Sequence, residues 1–432
     1  MKTLYKVFIF LSISVLFAQT ATPPALGSGA ESDPYQIATL ENLHWISTDS
    51  ANWGKHYIQT DDIDASSSSS LGYLPIGVSS DSCFYGSYDG QGYSLDFIMI
   101  ISSANLLYSG LFGYTHNATI KNIHIRFQNL IGRHYVGGLV GKDSMSTIIN
   151  CSVKGYISGR IAGGIVSMAC STTIRDSYTD LMGLTGINAF VSSITSGGIV
   201  AYSKDSHISN CYSLGIHMVQ SFYSGSSYNY GGLIGESINT IVKNCYRAGI
   251  TDISLSEDEG IAGGLIGTNQ GSVIQNSFWD MDTTDLAASA GGTGKTTTEM
   301  KMQSTYTDSS WNFIDTWVID PEYNDGYPFL KWQRDGVGIK EDPVPHEVAL
   351  MQNYPNPFNP ITTINYTIPS ESKVKLSIYD ISGQLVETLI DDFYQAGQYE
   401  VKWNASNYSS GIYISRLENG NSTYSRKMVL IK

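Results

Sequence analysis

The chain has 432 residues, of which 42% are hydrophobic and only 15% charged, and its formal net charge is −14. That length exceeds what a single hydrophobic core serves, so more than one folded unit is expected. An acidic surface repels phosphate backbones, so no nucleic acid is expected as a partner.

The first element is a targeting segment. Lys2 and Lys6 precede an apolar run from Val7 to Phe17 that only Ser12 and Ser14 interrupt. The run is too short to span a bilayer and no second one follows, so no transmembrane segment is expected. Residues 1–18 read as a cleaved signal peptide, with the cut between Ala18 and Gln19. Residues 19–82 read as an N-terminal capping region. Ile37, Leu40, Leu43 and Ile46 at three-residue spacing predict a short helix, Tyr57 to Ile63 looks strand-like, and Ser66 to Ser70 is a polar loop.

The body is repetitive. A Gly-aliphatic-aliphatic pattern recurs from Gly110, Gly138, Gly164, Gly198, Gly232 and Gly264. Twelve residues after each comes Asn122, Asn150, Asp176, Asn210, Asn244 or Asn276. The offset never varies, whereas the spacing between copies runs 28, 26, 34, 34 and 32. A rigid segment of fixed length therefore alternates with a loop of free length, the mark of a solenoid. Two columns carry the core: Ile120, Ile148, Ile174, Ile208, Val242 and Ile274, and Leu111, Leu139, Ile165, Ile199, Leu233 and Leu265. Stacked in parallel register, they seal an interior that no single repeat buries alone. The Asn column fits an amide ladder at a bend, with steps of about 4.8 Å.

After the Asn column come Ile123, Cys151, Ser177, Cys211, Cys245 and Ser277. Interchange of Cys with Ser points to a small, partly buried corner position. Five cysteines in total, with Cys83 and Cys170, is an odd number without any CxxC, so neither a disulfide framework nor a zinc site is expected. In-register neighbours point the same way, which suits a disulfide poorly, and buried free thiols are the plainer reading.

The Gly-Gly-Leu-Ile-Gly segments, each followed by an Ile-x-Asn-Cys-Tyr stretch, resemble the GLUG-motif repeats of bacterial surface and secreted proteins. The resemblance covers residues 83–280, opening at Phe84-Tyr-Gly-Ser-Tyr-Asp-Gly-Gln-Gly92 and closing through Asn276-Ser-Phe-Trp-Asp280 toward Gly326-Tyr-Pro-Phe-Leu-Lys-Trp332. It implies a β-solenoid joined to varied partners, hence architecture better than activity. Residues 281–335, rich in aromatics from Trp311 to Trp332, read as a C-terminal cap that plugs the last rung, and 336–347, with Pro343 and Pro345, as a linker.

From residue 348 the period changes. Ile364, Tyr366 and Ile368 alternate, as do Val374, Leu376 and Ile378, then Tyr399, Val401 and Trp403, then Ile412 and Ile414, with turn signals between. That predicts an antiparallel β-sandwich. Gln352-Asn-Tyr-Pro-Asn-Pro-Phe-Asn-Pro360, Ile378-Tyr-Asp-Ile-Ser-Gly383, Gly411-Ile-Tyr413 and Lys427-Met-Val-Leu-Ile-Lys432 resemble the type A C-terminal sorting domain of the type IX secretion system. The resemblance implies passage across the outer membrane by the type IX secretion machinery, with release or surface attachment. The fold expected for the whole is all-β: a parallel β-helix followed by a β-sandwich over 348–432.

Chemistry is sparse. Gly291-Gly-Thr-Gly-Lys-Thr296 looks like a phosphate loop, but Ser289 stands where that motif requires Gly, and a flexible loop is the plainer reading. His116, His124 and His134 are scattered surface residues rather than a triad. Asp280, Asp282 and Asp285, or Glu257 to Glu259, have the hard oxygens calcium prefers, although acidic loops are usually only solvated. Asp176, beside Arg175, is the one break in the Asn column; substitution with a pairing Arg is simpler than catalysis. No catalytic, cofactor or metal residues are assigned. Tyr178, Tyr212, Tyr246 and Phe278 form a column that, facing outward, is an aromatic stripe for glycan or protein; facing inward, it covers the edge of the core. The favoured function is a secreted or cell-surface binding or adhesion scaffold. The alternatives are an extracellular enzyme acting on carbohydrate or peptide, and a purely structural surface protein.

Overall fold

The computed structural model describes residues 20–71, 73–101, 106–186, 193–220, 227–254, 260–334, 348–350, 353, 356–368, 372–394, 397–420 and 422–432. The expected signal peptide with its Ala18–Gln19 junction, the linker 336–347 and Glu257 to Glu259 lie outside these. The chain forms two compact units, Met1–Gly338 and Ile339–Lys432.

The first unit is a parallel β-solenoid whose coils contribute strands to four sheets, here A to D in the order that a complete coil, such as residues 108–131, passes through them. Sheet A holds six strands, from Tyr108–Ser109 to Gly260–Gly263, and sheet B six, from Phe112–His116 to Ile266–Gln270. Sheet C holds nine, from Tyr35–Ile37 to Val273–Gln275, and sheet D ten, from Ile63–Asp64 to Thr293–Lys295. In sheet C, Ile120, Ile148, Ile174, Ile208, Val242 and Ile274 are register partners in succession. The first five are fully buried, and so is every member of the Leu111–Leu265 column. The repeat thus becomes a shared interior because matched aliphatic positions fall on the same face of consecutive coils.

Two of the corners in each coil use left-handed backbone. The Asn column occupies it, with φ between 48° and 54° from Asn122 to Asn276. Five residues upstream a second such column runs through Asn117, Met145, Ser171, Asp205, Asn239 and Gly271. Asn and Asp tolerate this region better than other residues with a Cβ, which explains their prevalence at both corners. The amide ladder forms in part, with Asn150 Nδ2 donating to Asn122 Oδ1 at 3.1 Å and Asn244 Nδ2 to Asn210 Oδ1 at 3.4 Å, while Asn244 Oδ1 accepts nothing from the last coil. At Asp176 it is interrupted: the carboxylate accepts from Asn210 Nδ2 at 2.8 Å but has no N–H for Asn150, and it pairs with Arg175.

Beyond the first coil, where Ala118 and Ile123 stand, each left-handed residue of the two columns is followed by Ser, Thr or Cys, and this explains the exchange of Cys with Ser. Cys151 N donates to Ser177 Oγ at 3.1 Å, Cys211 N to Cys245 Sγ at 3.4 Å and Cys245 N to Ser277 Oγ at 3.1 Å. At the other corner Ala118 N donates to Ser146 Oγ at 3.0 Å and Thr172 N to Ser206 Oγ at 3.1 Å. An amide that the ladder leaves unpaired is capped from the next coil, so the position needs any short acceptor. The thiols are free and, at Cys151, Cys211 and Cys245, buried.

The ends differ from expectation in position. Parallel pairing already begins at Tyr35–Ile37 against His56–Gln59, well upstream of residue 83. Ile37 therefore belongs to a strand, and the helix is Leu40–Thr48, capped by Thr39 and burying Leu40, Leu43 and Ile46. Ser68–Leu71 forms a helical turn where a loop was expected. At the other end the last coil is covered by residues 286–295, not by the aromatic segment. Ala290 N donates to Ile266 O at 2.9 Å, and Thr293–Lys295 pairs in parallel with Phe278–Asp280. Gly291 and Gly292 lie against Ile274 and Leu265, where added Cβ atoms would stand 2.6 and 2.5 Å from side-chain carbons. The glycines of this motif allow that close approach; the segment is an ordered lid on the core rather than a flexible loop.

The second unit is antiparallel: a three-stranded sheet of Ala349–Leu350, Ile361–Ile368 and Gly397–Asn404 and a four-stranded sheet of Leu385–Tyr394, Ser372–Asp380, Gly411–Asn419 and Ser422–Leu430. Ile364, Tyr366, Ile368, Val374, Leu376, Ile378 and Trp403 are buried as their alternation predicts. In Gly411–Asn419 the phase is the reverse of that expected: Tyr413, Ser415 and Leu417 point inward while Ile412 is exposed. The Tyr413 ring meets Trp403 edge-on at 5.2 Å, which fixes the strand's face.

Candidate functional site

The column of Tyr178, Tyr212, Tyr246 and Phe278 lies on the outer face of sheet D in consecutive register. Neighbouring Tyr rings stack almost parallel, Tyr178 on Tyr212 and Tyr212 on Tyr246, each pair with centroids 4.9 Å apart. As an open contact stripe it is corrected by the structure: Tyr178 is 8% exposed, Tyr212 and Tyr246 0% and Phe278 5%. The cover is a strap, residues 297–333, that leaves the last coil and runs back along the flank. Met300, Tyr306, Trp311, Trp317, Tyr327, Phe329 and Leu330 form one buried cluster with the stripe. The strap is pinned by Trp311 Nε1 to Asn276 O at 2.8 Å, Tyr246 OH to Pro328 O at 2.5 Å, Tyr212 OH to Gln333 Oε1 at 2.7 Å and Trp332 Nε1 to Asp176 O at 3.0 Å. The aromatics of 311–332 therefore seal the side of the solenoid rather than its end, because rings that stack in register leave an apolar flank needing cover.

The same column continues upstream of Tyr178 as Ser152, His124 and Ser94. There the side chains become small while the strap reaches its last ring, so a groove of about 220 Å³ opens. Its lining includes Asp96, His124, Arg126, Lys154, Tyr323 and Trp332. Trp332 stacks on His124 with centroids 4.9 Å apart and planes 17° apart, and Tyr323 is 43% exposed. His124 Nδ1 lies 3.0 Å from Ser152 Oγ. Burial pushes the His124 imidazole down to about 4, Asp62 offsetting part of that, so it is neutral at physiological pH. Asp96 meets Arg126 at 3.5 Å and Lys154 meets Asp180 at 3.1 Å. The groove thus combines ring faces with hydrogen-bonding edges and fixed charge. The upstream columns carried the signal for it, in the change from Tyr178 to Ser152, but they show nothing of the strap's return.

The remaining candidates have structural roles. Asp280 is buried and its carboxylate accepts from Asp282 N, Thr283 N, Thr297 Oγ1 and Tyr327 OH, the last at 2.6 Å, so it fastens the strap's root and has little left for a cation. Among the described residues no group of three His, Cys, Asp or Glu is placed to hold a metal ion. His116 lies at the exposed end of a sheet B strand, and His134 is half-buried. Arg247 and His217 are among the buried polar groups that were not anticipated. Arg247 donates to the carbonyls of Ser213, Ala248, Gly215 and Ile250. Beside it His217 sits between Ser213 Oγ and Tyr230 OH, held neutral by burial and then by Arg247.

Residues 352–432 match the secretion system C-terminal sorting domain. This is a type IX export tail. The protein carrying it is secreted or attached at the outer-membrane surface, and among the described residues no helix is long and apolar enough to cross a membrane. The chain is similar in sequence to a halomucin of Haloquadratum walsbyi, 31% identical over 166 residues, or 36% of this chain and 2% of that protein. It is also similar to a putative Gly-rich membrane protein of Evansella cellulosilytica, 37% identical over 82 residues, or 17% of this chain and 10% of that one. The chain thus spans a small fraction of the curated relatives it matches. A solved structure of PorZ, described as an essential bacterial surface component of the type-IX secretion system of Porphyromonas gingivalis, is 22% identical. It covers 25% of this chain and 14% of its own, with a TM-score of 0.15.

Proposed function

We propose that the protein is a type IX-exported binding scaffold of the GLUG-repeat kind, whose solenoid presents the groove beside Trp332 to a glycan. The observation that carries this reading is the conjunction of the Trp332 and Tyr323 rings with Asp96, Arg126, Lys154 and Ser94 around one open groove. Sugars are recognised by flat apolar faces together with planar polar groups, and that combination is assembled here. Asp96 is the one carboxylate among the lining residues, so the groove offers a contact surface rather than the carboxylate pair of a glycoside hydrolase. Residues 1–18 are assigned to the export signal, cut between Ala18 and Gln19, and 336–347 to a tether for the sorting domain.

The test is a glycan array probed with the full chain and with Tyr323→Ala, which removes an exposed ring. The expected result is a defined set of retained glycans whose signal falls about tenfold or more in the variant, at unchanged thermal stability. An array without retained glycans, or an unchanged signal in the variant, sinks the assignment.

A further inference from the structure

We infer that the groove selects an acidic saccharide, a uronate, over its neutral counterpart; this rests on the groove being a saccharide site. The observation is an order of charges. In consecutive register on the outer face of sheet D stand Asp96, Arg126, Lys154 and Asp180. A column that served only to neutralise itself would alternate in sign down the stack. This one places its two cations side by side, about 4.8 Å apart along the sheet, with a carboxylate on the far side of each. Arg126 and Lys154 keep 52% and 42% of their side chains exposed.

Neither cation is used up by its acid. A guanidinium has five N–H donors and an ammonium three, while Asp96 stands 3.5 Å from Arg126 and Asp180 takes one contact of 3.1 Å from Lys154. Exposed pairs of this kind contribute little, so a ligand carboxylate shares the donors at small cost. Of the charged groups lining the groove, two are cationic and Asp96 is anionic, on a protein whose formal charge is −14. Two adjacent cations beside low-dielectric aromatic walls, on an otherwise acidic protein, favour an anion at that point of the groove. The Trp332 and Tyr323 rings share the lining with the two cations, so a saccharide whose carboxylate bridges Arg126 and Lys154 has ring faces within the same groove for its pyranose.

The test is titration calorimetry on the full chain with three probes: an oligogalacturonate tetramer, the same tetramer methyl-esterified, and tetraglutamate. The acid should bind about tenfold tighter than the ester and weaken as salt is raised. Lys154→Gln, on a side chain 42% exposed, should bring acid binding down to the level at which the same variant binds the ester, at an unchanged melting temperature. Equal binding of acid and ester overturns the selectivity and leaves the saccharide site standing. Tetraglutamate bound as tightly as the uronate, or no probe bound, overturns both.

Discussion

Replacing Tyr212 by Ala separates a covered flank from an open stripe. If the ring were a surface contact, its loss would shift stability by no more than about 0.5 kcal/mol. In the structure the side chain is fully buried between two rings 4.9 Å away on either side. Burying a large apolar side chain contributes about 2–3 kcal/mol, and each stacked pair adds about 0.5–1.5 kcal/mol beyond its area. The Tyr212 hydroxyl also donates to Gln333 at 2.7 Å, but Gln333 Oε1 keeps the Leu330 amide at 2.8 Å. The sum is a loss of about 3–6 kcal/mol, overlapping the range of other large aromatic-to-Ala changes. Tyr212→Phe, which keeps the ring, should lose only about 1 kcal/mol. Urea unfolding followed by circular dichroism reads the loss, and limited trypsin digestion reads its location: cleavage at Lys301 and Lys331 should accelerate in Tyr212→Ala before sites in the coils respond. A Tyr212→Ala protein as stable as the parent, with the strap equally resistant, refutes the buried-flank account.

Asp143 is fully buried between Thr115 and Thr172 hydroxyls that donate to it, and burial raises its carboxyl above the usual range despite those bonds. A raised folded-state value means its favourable contribution is present in acid and is lost as pH rises through that value. Asp143→Asn should therefore gain about 1–3 kcal/mol at neutral pH and nothing in acid, by urea unfolding at both. His124 behaves in the opposite sense. Its depressed value, about 4, gives stability present above pH 6.5 and lost as pH falls toward 4, up to roughly 3 kcal/mol. The strap end should become trypsin-sensitive over that window, and His124→Gln should flatten the profile. Gly292→Ala places a Cβ 2.5 Å from Leu265 Cδ2 at φ +87° and should cost about 1–3 kcal/mol in thermal unfolding. Adding Mg-ATP to the parent should leave its melting temperature unmoved, as a lid rather than a phosphate loop requires.

Much of this architecture is dictated by local repetition. A solenoid pairs each coil with a near copy of itself, so a fixed twelve-residue offset determines register, the Ile120–Ile274 stack and the Asn ladder without long-range information. The corner thiols were equally legible in place, though their role as acceptors for the preceding coil's amide was not, since it depends on which donor the ladder leaves over. In the second unit the alternation of Val374, Leu376 and Ile378 fixed their face. Ile412 and Ile414 misled because Tyr413 and Leu417 alternate just as well, and the choice lies with Trp403 across the sheet. What only the tertiary structure decided is the flank of sheet D. Residues 297–333 carry no period tying them to any coil, and an aromatic segment after the last repeat suits an end plug and a side strap alike. Their return over Tyr246, Tyr212 and Tyr178 to His124 buries the expected contact stripe and opens a groove where the column turns to serine. That outcome follows from apolar surface finding its best-matched cover at a distance along the chain, which composition and spacing do not encode.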